Sequence, residues 1–325
     1  MSVTIVTATG SYLPSVSCPN EELDQFSPEA RRLIGEKTGV LCRRYAEEGE
    51  STSDLAVKAA RRCLEESGVS PGDLDGIVLS TSSPDRMQPA TATRLQALLG
   101  AFEAFAFDIN SVCSGSAFGI ALCDALVRSG PYRHILLVGA EVYSRILNRR
   151  DFSTYPFFGD GAGAVLFSRG EGEAGVIHSC LGTDGTRADV ITVPGGGTML
   201  PFEKMTSARQ AYFRMRGEEV LNFSLDKGPA IIQRLLAETG IPKDEVTCFL
   251  CHQANINIIR GIATRLDVPL ERFFVNLDRY GNTASASVLI ALDEALKSGA
   301  VHRGDLVVTV AFGGGLSWGA NLIKL

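Results

Sequence analysis

Much of this chain is said twice, and the repetition constrains its fold more than any single motif. Residues 53–82, SDLAVKAARRCLEESGVSPGDLDGIVLSTS, and 228–253, GPAIIQRLLAETGIPKDEVTCFLCHQ, each run from an apolar helical stripe to a glycine stop, a turn and a strand. In the first the stripe is Ala56, Ala59, Ala60 and Cys63, with Ser53 as the expected N-cap and Gly68 as the stop. In the second it is Ile231, Ile232, Leu235 and Leu236, closed by Gly240. Residues 113–141 and 284–315 repeat in the same way, each a small-residue helix, a Ser-Gly stop and an apolar strand. The copies stay about 170 residues apart, which predicts two α/β halves of similar order, 1–168 and 175–325, joined at SRGEGEAG. Strands alternating with helices predict mostly parallel sheets with helices on their faces.

At 325 residues, 45% of them hydrophobic, the chain is long enough to give each half its own core. A net charge of −6 argues against general nucleic-acid binding, which rests on many basic phosphate contacts. MSVTIVTATGSYLP lacks the charged and apolar regions of a signal peptide, and no apolar run of spanning length is read in the sequence, so the cytoplasm is the expected compartment and no membrane is expected. The eight cysteines are scattered, as reduced core thiols are. Cys248 and Cys251 have a suggestive spacing but no second ligand pair, and their apolar run reads as a strand, so no metal is expected.

In open α/β sheets, functional groups gather beyond the carboxyl ends of strands. Cys113 stands at such a strand-to-helix junction in DINSVCSGSAFG, residues 108–119. The matching junction of the second half, YGNTAS, carries Asn282, while the strand VTCFLC delivers His252 at its end. Two halves packed about a pseudo-twofold axis bring these three groups together. A thiol at a helix start is expected to have its pKa lowered from about 8.5 into the range of about 3.5 to 7.5. His134, His178 and His302 have no such context and read as structural residues.

These stretches, with FFGDGAGAVLF (157–167), CHQANINII (251–259), YGNTASAS (280–287) and AFGGGLSWGA (311–320), follow one another as the motifs of the β-ketoacyl-acyl-carrier-protein synthase III family do. The chain resembles that family, part of the thiolase superfamily, over nearly its whole length. The resemblance implies a five-layer αβαβα thiolase-like fold, a homodimer, and a catalytic set of Cys113, His252 and Asn282. It implies that Cys113 takes an acyl group from acyl-CoA or acyl carrier protein, with the N–H groups of Cys113 and Gly314 as the oxyanion hole. A malonyl carrier protein then loses CO2 and condenses with the acyl group, its developing charge held by His252 and Asn282. Coenzyme A and phosphopantetheine thioesters are then substrates, and no resident cofactor is implied.

The resemblance also points to Leu33, Lys37, Gln88, Arg150, Met215, Gly217, Asn255 and Phe312 as substrate-binding positions. Several depart from the family pattern. Leu33 stands where a tryptophan often stacks on adenine, Lys37 where arginine is usual, and Asn257 where a basic residue is common. Arg150, or Arg149 before it, is the candidate phosphate contact. Gln88 replaces a phenylalanine that often closes the partner's acyl pocket, and a polar amide there predicts a primer other than acetyl: longer, functionalised or aromatic. Two alternatives use the same residues. One is an acyltransferase in which His252 is a general base for an attacking hydroxyl or amine; the other is a non-catalytic partner subunit of a ketosynthase pair.

Overall fold

A computed structural model describes residues 2–325. Its two main sheets divide the chain in sequence order. The first contains Val3–Tyr12, Gly161–Gly170, His134–Glu141, Gly76–Ser80 and Phe105–Ile109, side by side in that order. The second contains Cys248–Cys251, Leu306–Gly313, Ser317–Lys324 and Gly175–Thr183. Where the first sheet has its fifth strand, the second has a single parallel bridge from Phe249 to Phe273. The linker between the sheets is the predicted glycine-rich joint, where Gly172 and Gly175 take φ values of +106° and +125°.

The expectation of mostly parallel sheets is overturned. Only the pairings of Gly76–Ser80 with both its neighbours and of Cys248–Cys251 with Leu306–Gly313 are parallel; the other four are antiparallel. For one of these pairs the reason is connection length. Only three residues join Leu306–Gly313 to Ser317–Lys324, enough for a hairpin and too few for a crossover.

The helices complete five layers. Thr52–Ser67 and Thr91–Leu99 cover the outside of the first sheet, Gly217–Thr239 packs on the outside of the second against Ile256–Leu266, and Gly115–Ser129 and Ser287–Lys297 lie between the sheets. The two central helices are small-residue helices because both faces meet a sheet. At Gly163, a Cβ would sit 2.7 Å from Leu289 Cβ and 2.8 Å from the Ile290 nitrogen. Large residues fill the remaining space, and truncating one such as the fully buried Leu137 to alanine is expected to cost about 2–5 kcal/mol. Val112–Ser129 has the length and mean hydropathy of a membrane-crossing helix without being an unbroken apolar run, since it carries Asp124 and Arg128, and in this fold it fills the central layer.

Two helix boundaries also differ from expectation. The cap of Thr52–Ser67 is Ser51, whose N–H is accepted by Asp54 at 2.9 Å, while Ser53 lies buried inside the first turn. The helix stop at Gly68 is as read, with φ +68°. The helix containing Ile231 begins at Gly217 and runs through Pro229. That proline cannot donate to the Leu225 carbonyl one turn back. The Arg265 guanidinium donates to this carbonyl instead.

Candidate active site

The turn that carries Cys113 is built by its neighbours. Asn110 Oδ1 accepts the Val112 N–H at 3.1 Å, and Val112 takes a left-handed φ of +48°. A short 3-10 turn, Val112–Ser114, then leads into Gly115–Ser129. The Ser114 hydroxyl ties the turn to the far sheet, 2.7 Å from both the Ser111 carbonyl and Ser317 Oγ. Gly313, at the end of its strand, lies against this backbone: a Cβ there would be 2.6 Å from the Ser114 nitrogen, 2.7 Å from the Ser111 oxygen and 2.9 Å from the Cys113 nitrogen. Only glycine fits so close an approach.

His252 follows the strand Cys248–Cys251, and its N–H donates to the Val310 carbonyl at 2.8 Å. Its Nδ1 is 2.6 Å from Ser287 Oγ. Burial pushes the imidazole down to about 4, so the ring is neutral at ordinary pH. A serine donating into Nδ1 leaves the ring proton on Nε2, the edge away from Ser287. Gln253 staples the turn: its amide donates to the carbonyls of Cys251 and Phe274, at 2.8 and 3.0 Å, and its oxygen accepts the Asn276 N–H at 3.0 Å.

Asn282 is held on both sides. Its backbone exchanges hydrogen bonds with Phe157 and Gly159 at 2.8 and 3.0 Å, and its Oδ1 accepts the Ala284 N–H at 2.8 Å. The oxygen thus does turn chemistry, and the two amide protons remain for a ligand. FFGDGAG is accordingly the backbone turn that holds Asn282, with Asp160 anchoring it by accepting the Ser144 N–H at 2.9 Å.

Cys113, His252 and Asn282 line one cavity of about 330 Å³, and Lys37, Met215, Gly217, Asn255 and Phe312 line it with them. Four predicted positions do not. Gly314 packs on Val112 and Ile191, one residue beyond the lining Gly313. Leu33 is half-buried one helical turn before Lys37, and Gln88 is exposed, outside its own chain's cavity. Arg150 lies in a neighbouring surface depression with Arg209 and Arg214, which shares Ser153, Phe213 and Met215 with the main cavity. Asn257 donates to the Lys37 carbonyl at 2.7 Å, joining two helices where a basic side chain was considered.

The surroundings of the thiol add influences that the sequence does not show. Burial pushes Cys113 up, the Glu141 carboxylate adds to the rise, and the Tyr143 phenol works against it. Burial and the Glu141 charge favour the protonated thiol and so oppose the effect of the helix start. Sequence reading missed Tyr143 and Glu141, although an acid closing the apolar strand HILLVGAE was a visible signal. It also missed the aromatic wall of Phe157, Phe158 and Phe213. Two of the remaining histidines have side-chain partners, His134 Nδ1 2.8 Å from Ser168 Oγ and His178 Nε2 2.7 Å from Glu238, while the His302 side chain is exposed. His178, Cys180 and Glu238 are the one group among the described residues that gathers three possible metal ligands, and Arg234 already holds the other Glu238 oxygen at 2.7 Å.

Residues 107–185 match the 3-oxoacyl-[acyl-carrier-protein] synthase III family, and residues 236–325 match its C-terminal part. A β-ketoacyl-[acyl-carrier-protein] synthase III from Caldanaerobacter subterraneus is 40% identical over 320 residues, covering 98% of this chain and 97% of that protein. One from Hyphomonas neptunium is 39% identical over 324 residues, covering 98% of each. Among solved structures, the 3-oxoacyl-[acyl-carrier-protein] synthase III of Aquifex aeolicus superposes with a TM-score of 0.91 at 36% identity, covering 99% of this chain and 100% of that one. The priming β-ketosynthase of the R1128 polyketide pathway superposes with a TM-score of 0.91 at 30% identity, covering 99% and 96%.

Proposed function

The chain belongs to the 3-oxoacyl-[acyl-carrier-protein] synthase III family of condensing enzymes, and from that premise we propose that Cys113, His252 and Asn282 perform a two-step decarboxylative condensation. In the first step Cys113 Sγ attacks an acyl thioester carried by coenzyme A or a carrier protein. The tetrahedral oxyanion is held by backbone N–H groups at Cys113 and at Gly314, next to the strand end that touches the elbow. The Arg150, Arg209 and Arg214 depression is the approach for the donor's phosphates, since guanidinium groups pair well with phosphate oxygens. In the second step a malonyl thioester binds in the same cavity and loses CO2. His252 Nε2–H and the Asn282 amide donate to its thioester oxygen as charge develops there, and the new carbon nucleophile attacks acyl-Cys113. No resident cofactor is required.

The observation that carries this reading is the shared cavity, lined by a thiol, a neutral imidazole and a free amide. It disfavours the acyltransferase alternative, because a histidine held at about 4 is a weak general base and a good neutral donor. The edge strand Phe105–Ile109, half-buried along its length, is the proposed dimer contact. In such a dimer the exposed Gln88 faces the other protomer's acyl pocket, which favours a primer other than acetyl. The test is to offer acetyl, long-chain, dicarboxylic and aryl thioesters, identify by peptide mass spectrometry which loads Cys113, then add malonyl carrier protein and measure CO2 and product. Loading without CO2 release from the malonyl thioester would reject condensation; a clear preference for acetyl would reject the primer assignment.

A further inference from the structure

Cys113 must lose its proton beside a cavity that holds no strong base. His252 is a weak base with Nδ1 occupied by Ser287. On the other side of the sulfur, however, runs a line of hydroxyls. Tyr143 shares the buried cluster that contains Cys113, its phenol favours the ionised thiol, and its Oη lies 2.8 Å from Ser82 Oγ. Ser82 Oγ donates in turn to Glu141 Oε1 at 3.0 Å. The fully buried Glu141 carboxylate also accepts from the Ser82 and Ser83 N–H groups at 3.1 and 3.0 Å, and from Ser285 Oγ at 2.8 Å. Tyr143 has little freedom: its ring stacks on Phe158 at 4.9 Å with an 8° interplanar angle, and Phe213 meets it edge-on at 5.4 Å.

We propose that Glu141, acting through Ser82 and Tyr143, accepts the Cys113 proton when the sulfur attacks and returns it when the sulfur leaves. This deepens the condensing-enzyme reading and rests on it. Each hydroxyl has one proton, so the chain has two settings. At rest the thiol donates to Tyr143, Tyr143 to Ser82, and Ser82 to Glu141. Three short hops reverse every bond, leaving Glu141 protonated, Ser82 donating to Tyr143, and Tyr143 donating to a thiolate. The S–C bond to the acyl carbon then forms, the donor's C–S bond breaks, and the departing thiolate takes a proton from water. In the second half-reaction CO2 leaves, the C–C bond forms, and Cys113 sulfur departs as a thiolate. Reversal of the chain returns the proton from Glu141 and restores the resting thiol.

Burial pushes the Glu141 carboxyl up, which makes it a better acceptor than a surface acid, and raises the Tyr143 phenol well above its ordinary value, which keeps it a donor. The titratable groups acting on the sulfur are Glu141 and Tyr143; His252, Lys37 and Glu218 line the cavity with Cys113.

Tyr143→Phe keeps the ring stack and removes only the hydroxyl. Its Cys113 is to be alkylated with iodoacetamide between about pH 6 and 10 and read by peptide mass spectrometry, alongside single-turnover acyl loading. The expected result is an alkylation profile moved up by about one pH unit or more, and loading at neutral pH slowed about 100-fold. Ser82→Ala keeps the phenol but cuts its link to Glu141, and is expected to slow loading in the same direction. Tyr143→Phe with the wild-type profile and loading rate overturns the proposal, as does Ser82→Ala with wild-type loading should Tyr143→Phe fail to fold. If no acyl thioester loads the wild-type enzyme, the condensing-enzyme reading fails; the alkylation profiles still decide whether the hydroxyl chain sets the thiol's ionisation.

Discussion

At Asn110, and again at Asn282, a side-chain oxygen accepts the N–H two residues on, a non-glycine residue takes a left-handed φ, and a 3-10 turn opens into a central-layer helix. The strained residues are Val112 at +48° and Ala284 at +46°, and the residues after them are Cys113 and Ser285. The two elbows are built alike and are used differently. In the first, Asn110 is exposed and Cys113 faces the cavity; in the second, Asn282 faces the cavity and Ser285 is sealed inside, bonded to Glu141 at 2.8 Å and to the Ser80 carbonyl at 3.0 Å. The strand end opposite each elbow accounts for the contrast. Gly313 closes its strand against Cys113 and leaves space beside the thiol, whereas Glu141, at the corresponding end of the other sheet, fills that space beside Ser285. One backbone device thus supplies a nucleophile where its partner strand ends in glycine and a structural hydroxyl where it ends in a carboxylate.

The sharpest way to break this comparison is to exchange the nucleophiles. Cys113→Ser is expected to reduce condensation by about 10⁴-fold or more, since a hydroxyl without a matched base replaces the thiol. Adding Ser285→Cys to that variant should restore nothing, because the new thiol remains enclosed. Peptide mass spectrometry after incubation with acyl thioesters checks both, and acylation at position 285 would contradict the division of roles.

The second half contributes His252 as a neutral donor, and its environment makes that neutrality measurable. In the fold the imidazole is held at about 4 against an ordinary 6.5, so unfolding takes up a proton between those values. This contribution to stability is therefore fully present above about pH 6.5 and is lost as pH falls toward about 4, by up to about 3 kcal/mol. Urea melts at pH 7 and pH 4.5 should show the loss in wild type and a smaller one in His252→Gln. Equal pH slopes in the two proteins would mean that the histidine is not sealed from water.

How much of this was legible in the sequence follows the same division. The repeat, the glycine stops and the junctions at Cys113 and Asn282 are local patterns with local causes, and they hold. Sheet direction was not local: the hairpin after Gly313 has no counterpart in the helix-strand alternation from which parallel sheets were expected. For the thiol, helix position is visible in sequence, while burial and the Glu141 charge, which push it up, are tertiary facts. Which of three successive glycines borders the cavity is likewise not set by spacing: Gly313 lines it, and Gly314, whose N–H is proposed for the oxyanion hole, follows.

Gly313 offers an intermediate test. In Gly313→Ala the new methyl group would meet only main-chain atoms of Ser111, Cys113 and Ser114, all closer than 3.0 Å, so the elbow must move. A displacement of that kind at the nucleophile is expected to lower kcat about 100-fold. Thermal unfolding and single-turnover loading on the same protein separate lost activity from lost fold.

The smallest effect belongs to the silent elbow. Ser285→Ala removes one of the donors to Glu141 and leaves the others in place, so it is expected to cost about 1–2 kcal/mol in unfolding free energy. Its effect on activity discriminates further. With one donor fewer, the carboxylate is less well solvated and holds a proton more tightly, which favours taking it from Cys113 and disfavours giving it back. Acyl loading should therefore be unchanged or faster while the step that releases Cys113 slows, a split visible as acyl-enzyme accumulating during turnover. If Ser285→Ala instead slowed loading and release equally, Ser285 would act on the shape of the elbow, and the two halves would be coupled through packing rather than through the charge of Glu141.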